Sequence, residues 1–259
     1  MQNTSHAVMA QRVEAADSLD DFPTPPWATR ALLEHGIKEP GGYRGLSVME
    51  PACGRGHMSK VLREYFSEVY SSDIAPYGYG EQLDFLSPDT PIQPVDWIIT
   101  NPPFRLAEQF IQKSLGVARK GVAMLVRTVF VESVGRHDRL FSQTPPTRFA
   151  QFTERVPMVK GRLDAKASTA TGYGWIIWEI GSSGSTELSW IPACRKSLER
   201  PLDYELPVRA ISCLPLDLTA KWSQGGLFEN EQFAAVRSPS RHKQGVATRT
   251  SGSLRQANR

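Results

Sequence analysis

The sequence predicts an α/β protein with a mostly parallel sheet, and three stretches predict it. Residues 46–66 read as strand, glycine-bearing loop and helix, the first half of a nucleotide-binding βαβ unit. Residues 95–99 place Val95, Trp97, Ile98 and Ile99 in a short apolar run bounded by turn formers, the pattern of a strand buried on both faces. Residues 121–126 repeat that pattern after an amphipathic segment, 105–119. The 259 residues suffice for one large α/β domain with a small appendage, and 40% hydrophobic with 22% charged residues is ordinary for a globular protein.

Taken in order, residues 1–20 are polar and aperiodic and read as a flexible N-terminal arm. Thr24 is expected to cap a helix with Pro25 and Pro26 in its first turn and Trp27, Leu32 and Leu33 as its apolar positions, ending at Gly36. A strand at 46–49 leads into the loop from Glu50 to Gly56, and a helix at 58–66 follows, with Val61, Leu62 and Tyr65 on one side. The strand at 68–74 carries Asp73 at its end, about twenty residues past the loop, where a carboxylate meets ribose hydroxyls in nucleotide-binding units. A short segment at 82–86 contains Asp84 and Phe85, and the strand at 95–99 stops at Asn101-Pro102-Pro103-Phe104.

The helix at 105–119 is expected to bury Leu106, Phe110, Leu115 and Val117. A strand at 121–126, a helix at 134–141 and a strand at 147–152 precede a polar loop of small residues, 155–172, long enough to suggest function. Residues 173–180 form a strongly apolar strand, and 185–194 an edge strand. The organisation is therefore an arm (1–20), a main domain (21–181), a C-terminal extension (182–232) available for substrate recognition, and a disordered tail (233–259). That tail carries Arg237, Arg241, Lys243, Arg249, Arg255 and Arg259 and no acid, so the basic character is concentrated there.

No apolar run approaches the roughly 20 residues of a membrane span, and the N-terminus lacks the basic-then-apolar order of a secretion signal, so the expected location is the cytoplasm. Cys53, Cys194 and Cys213 are widely spaced and form no Cys/His cluster, which argues against a zinc site or a disulfide framework; no metal is expected.

The chemistry is concentrated in two loops. Consecutive prolines cannot donate to a ladder and force extended backbone before them, so 101–104 is a stiff loop holding an amide and a ring at a strand end. Read alone it is an exit turn; read as a clamp, its carbonyls accept hydrogen bonds and its ring stacks on something flat. Gly54-Arg55-Gly56 alone imitates a dinucleotide fingerprint. Glu50 argues against a nicotinamide cofactor, because a carboxylate there repels the pyrophosphate that a helix N-terminus holds. A cofactor with an ammonium and no phosphates suits it better.

With both loops in hand, the sequence resembles the S-adenosylmethionine-dependent adenine-N6 DNA methyltransferases. Glu50-Pro51-Ala52-Cys53-Gly54-Arg55-Gly56 resembles their cofactor motif, Asn101-Pro102-Pro103-Phe104 their catalytic motif, and Phe22-Pro23-Thr24-Pro25 the N-terminal motif that completes their methionine pocket. The resemblance covers roughly residues 20–180. It implies a three-layer α/β/α Rossmann-like methyltransferase fold with a seven-stranded, mostly parallel sheet, whose antiparallel strand is assigned to 173–180. It implies that Phe22, Thr24, Pro25, Glu50, Pro51, Ala52, Cys53, Gly54 and Gly56 surround the methionine portion, that Asp73 with Ile74 takes the ribose, and that Asp84 with Phe85 addresses the cofactor adenine. It also implies that Asn101 and Pro102 accept the hydrogens of the target amine, and that Phe104 stacks on a base flipped out of the duplex.

The same loop serves relatives that methylate adenine in RNA, guanine in ribosomal RNA or glutamine in release factors. An RNA methyltransferase and a silent nucleic-acid-binding module therefore stand as alternatives to a DNA enzyme. Lys160, Arg162 and Lys166 are candidates for phosphate contacts. The recognised site and the oligomeric state are not encoded in any motif.

Overall fold

The structure is a computed structural model and describes residues 20–182 and 184–204. The N-terminal arm as far as residue 19, most of the C-terminal extension, Cys213 and the basic tail lie outside the described residues.

The strands are β1 (Ser47–Glu50), β2 (Glu68–Asp73), β3 (Glu81–Gln82), β4 (Trp97–Thr100), β5 (Gly121–Arg127), β6 (Arg148–Phe152), β7 (Tyr173–Glu179) and β8 (Glu187–Ile191). They form one eight-stranded sheet in the order β3-β2-β1-β4-β5-β7-β6-β8. All neighbours pair in parallel except β7, which runs antiparallel to both β5 and β6. The strand at 173–180 is thus the reversed one, as expected. The sheet has eight strands and not seven, because β8 adds to the outer edge of β6.

Both faces of the sheet are covered. Trp97, Ile99, Ala123, Leu125, Trp175 and Ile177 pack against helix α1 (Pro26–Ala31), the turn Leu32–Gly36 after it and helix α2 (His57–Tyr65), through Trp27, Leu32, Met58 and Leu62. Ile98, Val122, Met124, Val126, Ile176 and Trp178 point the other way, onto Phe110 and Ile111 of α3 (Ala107–Leu115) and onto Phe130 and Leu140. Adjacent residues alternate between two cores because strand side chains alternate faces. The runs look continuously apolar because both faces are buried.

Two expectations need correction. Thr24 does not cap α1: the cap position is Pro25, whose carbonyl accepts from Ala28 N–H at 2.9 Å, and Pro26 opens the helix, where a missing N–H costs nothing. In α3 the buried side is Ala107, Phe110, Ile111 and Ser114; Leu106 sits at the cap and is 40% exposed. The helix starts two residues later than the pattern suggested, which leaves Leu106 outside it; Phe110 is buried as expected, and Leu115 and Val117 are half-buried against the same core.

The short α4 (Val134–Arg136) lies between β5 and β6; beyond β8 the chain forms α5 (Arg195–Leu198) and then a 3-10 turn, Pro201–Tyr204. Arg30 of α1 fastens that end: its guanidinium meets Glu64 at 2.7 Å, Asp203 at 2.8 Å and the Leu198 carbonyl at 2.7 Å.

Candidate functional site

The carboxyl ends of β1, β2 and β4 open into a cleft. Its walls come from four places: the N-terminal segment Asp20 to Thr24, the loop after β1, the end of β2 with Asp84 and Phe85, and the loop after β4.

The loop after β1 turns at two glycines in the left-handed region, Gly54 (φ 51°) and Gly56 (φ 77°). A Cβ on Gly56 would sit 2.3 Å from the Tyr79 ring, so only glycine permits that packing. Nothing lies within 4 Å of the Cβ position of Gly54, which lines the open cleft.

Glu50, the last residue of β1, is 2% exposed, and its carboxylate accepts from the Ser59 hydroxyl, which in turn meets Ser71 Oγ at 2.6 Å. Burial raises its pKa to about 8 despite that hydrogen bond, and the negative charge of Asp73 adds to the rise. No cation is paired with it among the described residues, so the site holds a carboxyl that would ionise readily beside a positive ligand.

Asp73 ends β2, and both its oxygens are engaged: Oδ2 accepts from Gly54 N–H at 2.8 Å and Oδ1 from Ala75 N–H at 2.9 Å. It therefore braces the glycine loop, with lone pairs remaining toward the cleft. Burial raises its pKa, and the bonds from Ala75 and Gly54 oppose that. Ile74 beside it is 56% exposed and lines the cleft. Asp84 Oδ1 accepts from Leu86 N–H at 2.9 Å, and Phe85 is 2% exposed, packed 5.2 Å from Phe110.

In the loop after β4, Asn101 Nδ2 donates to the Phe22 carbonyl at 3.0 Å and contacts Met158 Sδ at 3.7 Å. Its Oδ1 is buried and accepts from nothing among the described residues. Turning the amide over would set Oδ1 against the Phe22 carbonyl oxygen, so this contact fixes which end is the free acceptor. Phe104 N–H donates to Asp20 Oδ2 at 2.7 Å.

Among the residues expected at the site, Phe22, Thr24, Glu50 to Gly54, Asp73, Ile74, Asp84, Phe85, Asn101 and Pro103 line one cleft. Pro25, Gly56, Pro102 and Phe104 are not among its lining residues. The Phe104 ring lies 5.9 Å from Phe22 and beneath the guanidinium of Arg127, whose Cζ is 4.0 Å from the ring centroid. Lys160, Arg162 and Lys166 are exposed on their loop away from the cleft walls, and Arg162 pairs with Asp164 at 3.3 Å.

Several residues at the site went unseen in the sequence. Asp21 bridges to Arg55 at 2.8 Å, and its carbonyl accepts from Gly161 N–H at 2.8 Å. His57 lines the cleft, and burial, with Lys60 and Arg55 nearby, lowers its pKa to about 4, so it is neutral at pH 7. Only the adjacency of Asp20-Asp21 to the Phe22-Pro23-Thr24-Pro25 motif gave any signal for the first pair.

No family model and no curated protein matches this sequence. Solved structures do match. The methyltransferase subunit of a type I restriction-modification system from Streptococcus thermophilus aligns with a TM-score of 0.51 at 11% identity, over 68% of this chain and 48% of that one. A Listeria monocytogenes protein described as a class I S-adenosylmethionine-dependent methyltransferase gives 0.49 at 15% identity, over 71% and 69%. A Vibrio vulnificus protein described as a type I restriction enzyme modification subunit gives 0.49 at 16%, over 74% and 51%. The chain spans about half the length of the two type I subunits. The likeness is one of fold: this chain has the Rossmann-like methyltransferase fold. Among the described residues no helix is long and apolar enough to cross a membrane, and no group of three or more His, Cys, Asp or Glu is arranged to hold a metal.

Proposed function

We propose that this protein transfers a methyl group from S-adenosylmethionine to the exocyclic amine of adenine in DNA, acting on a base flipped out of the duplex. The observation that carries the reading is the Asn101 amide: its nitrogen is held by the Phe22 carbonyl while its buried oxygen is left without a donor. Buried acceptors are rarely left unpaired without a ligand or a water to satisfy them.

The cleft suits the cofactor on its own chemistry. Glu50 offers a buried carboxyl to an ammonium, Gly54 leaves open space where a side chain would protrude, and Ile74 offers an exposed apolar face to a planar ring. Asp73 faces the ribose, and Asp84 with Phe85 the adenine, as the motif resemblance implies. The bound cofactor supplies an electrophilic methyl group on a sulfonium. His57, held neutral by burial, sets no positive charge against it.

Asn101 Oδ1 and the Pro102 carbonyl accept the two hydrogens of the target amine. Those bonds draw the nitrogen toward a tetrahedral geometry and free its lone pair, and they strengthen as positive charge develops on nitrogen, which is where an acceptor lowers the barrier. The stiff Pro102-Pro103 backbone keeps the acceptors in place without reorganisation.

The test is transfer of tritiated methyl groups from S-adenosylmethionine to DNA, RNA and protein pools, with the modified product identified by mass spectrometry. N6-methyladenine in DNA is the expected product. Label confined to RNA or protein would overturn the substrate assignment, and absence of cofactor binding in calorimetry would overturn the reading as a whole.

A further inference from the structure

Arg127 ends β5 with its guanidinium carbon 4.0 Å from the Phe104 ring centroid. The ring packs against the core that includes Phe22, and the Arg127 guanidinium covers one of its faces. No carboxylate pairs with Arg127 among the described residues, whereas Arg30, Arg55, Arg119, Arg139, Arg148 and Arg195 each meet an acid. Its Nε is shielded from solvent and donates to nothing. The pose is therefore held by stacking of one plane on another, with an unpaired donor working against it.

A nucleobase and a guanidinium are both flat and both stack on an aromatic ring, so they compete for the same face. Resting on the reading of Phe104 as the ring that receives the target base, we propose that Arg127 is a gate on that ring. In the free protein its guanidinium holds the stacking face; the incoming base displaces it, and the released guanidinium binds a backbone phosphate beside the extruded nucleotide. The exchange is easy because leaving the ring frees the trapped Nε to find an acceptor. The surroundings favour a phosphate. Arg127 is the register partner of Tyr173, and beside Gly172 lies the exposed Arg155, whose Nη1 comes within 3.1 Å of the glycine's Cβ position. Two guanidiniums without acidic partners among the described residues thus flank the rim, and arginine forks match phosphate oxygens.

Fluorescence titrations of the full chain test this, with two probes: 2-aminopurine nucleoside, which has a base and no phosphate, and a mixed-sequence single-stranded oligonucleotide containing 2-aminopurine. The proteins are wild type, Arg127→Ala and Arg127→Lys, each first checked for an unchanged melting temperature. Both variants are expected to bind the nucleoside more tightly than wild type, about three- to tenfold, since neither places a plane on Phe104. For the oligonucleotide, Arg127→Ala is expected to lower the log-log salt slope by about one, and Arg127→Lys to keep it. A residue that merely props the ring would weaken nucleoside binding when removed, so weaker or unchanged nucleoside affinity in both variants overturns the gate alone. Nucleobase binding by none of the three proteins overturns the base-capture role of Phe104 and the gate with it.

Discussion

The side chain of Asn101 and the main chain of Phe22, far apart in sequence, are joined by a 3.0 Å hydrogen bond from amide nitrogen to carbonyl oxygen. The N-terminal segment thereby decides which end of the Asn101 amide faces the cleft. Replacing the side chain removes the acceptor while leaving Glu50, Asp73 and the glycine loop untouched. Asn101→Ala is expected to lower single-turnover methyl transfer by about 10²-fold or more, with cofactor affinity changed little. An Asn101→Ala protein that turns over at the wild-type rate would show the loop to be structural.

Glu50 makes stability depend on pH. Its folded pKa of about 8 lies above the ordinary 4.5, so between those values the folded protein keeps a proton that the unfolded chain has lost. The free energy of unfolding therefore falls as pH rises from about 4.5 to about 8, and levels off above that. Glu50→Gln is neutral throughout and should flatten this dependence. Urea denaturation of both proteins across that window measures it; parallel curves would mean that Glu50 is not protonated in the free protein.

Asp73 has two duties, and its replacement should show both. Asp73→Ala removes the acceptors of Gly54 N–H and Ala75 N–H, so it should lower the unfolding free energy as well as cofactor affinity, the latter by about 1 to 3 kcal/mol. Calorimetric titration alongside thermal melting separates the two. Wild-type affinity in a destabilised variant would confine Asp73 to bracing the loop.

Arg30 is 3% exposed and joins Glu64 to Asp203, whose side chain is 6% exposed. Arg30→Ala strands a buried carboxylate and should cost about 3 to 5 kcal/mol. The loss should expose residues 195–204 to limited proteolysis before the sheet yields. Cleavage elsewhere first would show that this cluster does not hold the C-terminal segment.

The sequence made legible those features that local covalent chemistry enforces. Two prolines and two glycines dictate the backbone at 102–103 and 54–56 whatever surrounds them, so both loops, and Glu50 and Asn101 beside them, could be read directly. The apolar runs gave β4, β5 and β7 for the same reason. What escaped notice depends on neighbours distant in the chain. Arg127 looks like any charge at a strand end until Phe104 is seen beneath it, and Asp73 looks like a free carboxylate until Gly54 and Ala75 are found bonded to it. In α3 only Leu106 was misread, because the helix begins at Ala107, after a turn closed by Leu106 N–H on the Pro103 carbonyl that apolar periodicity does not mark.

The reversal of β7 has a consequence for how such a protein can change over time. Because β7 runs against β6 and β5, residues 153–172 are the tip of a wide hairpin that opens at the end of the sheet where Asn101 lies, with Tyr173 beside Arg127 and Met158 touching the amide. Residues inserted or exchanged near that tip leave the pairing of β6 with β7 intact, and each doubling of its length adds only about 0.6 kcal/mol of closure entropy. That hairpin can therefore change in length and sequence while β1, β2 and β4, whose ends carry Glu50, Asp73 and Asn101, are inherited unaltered.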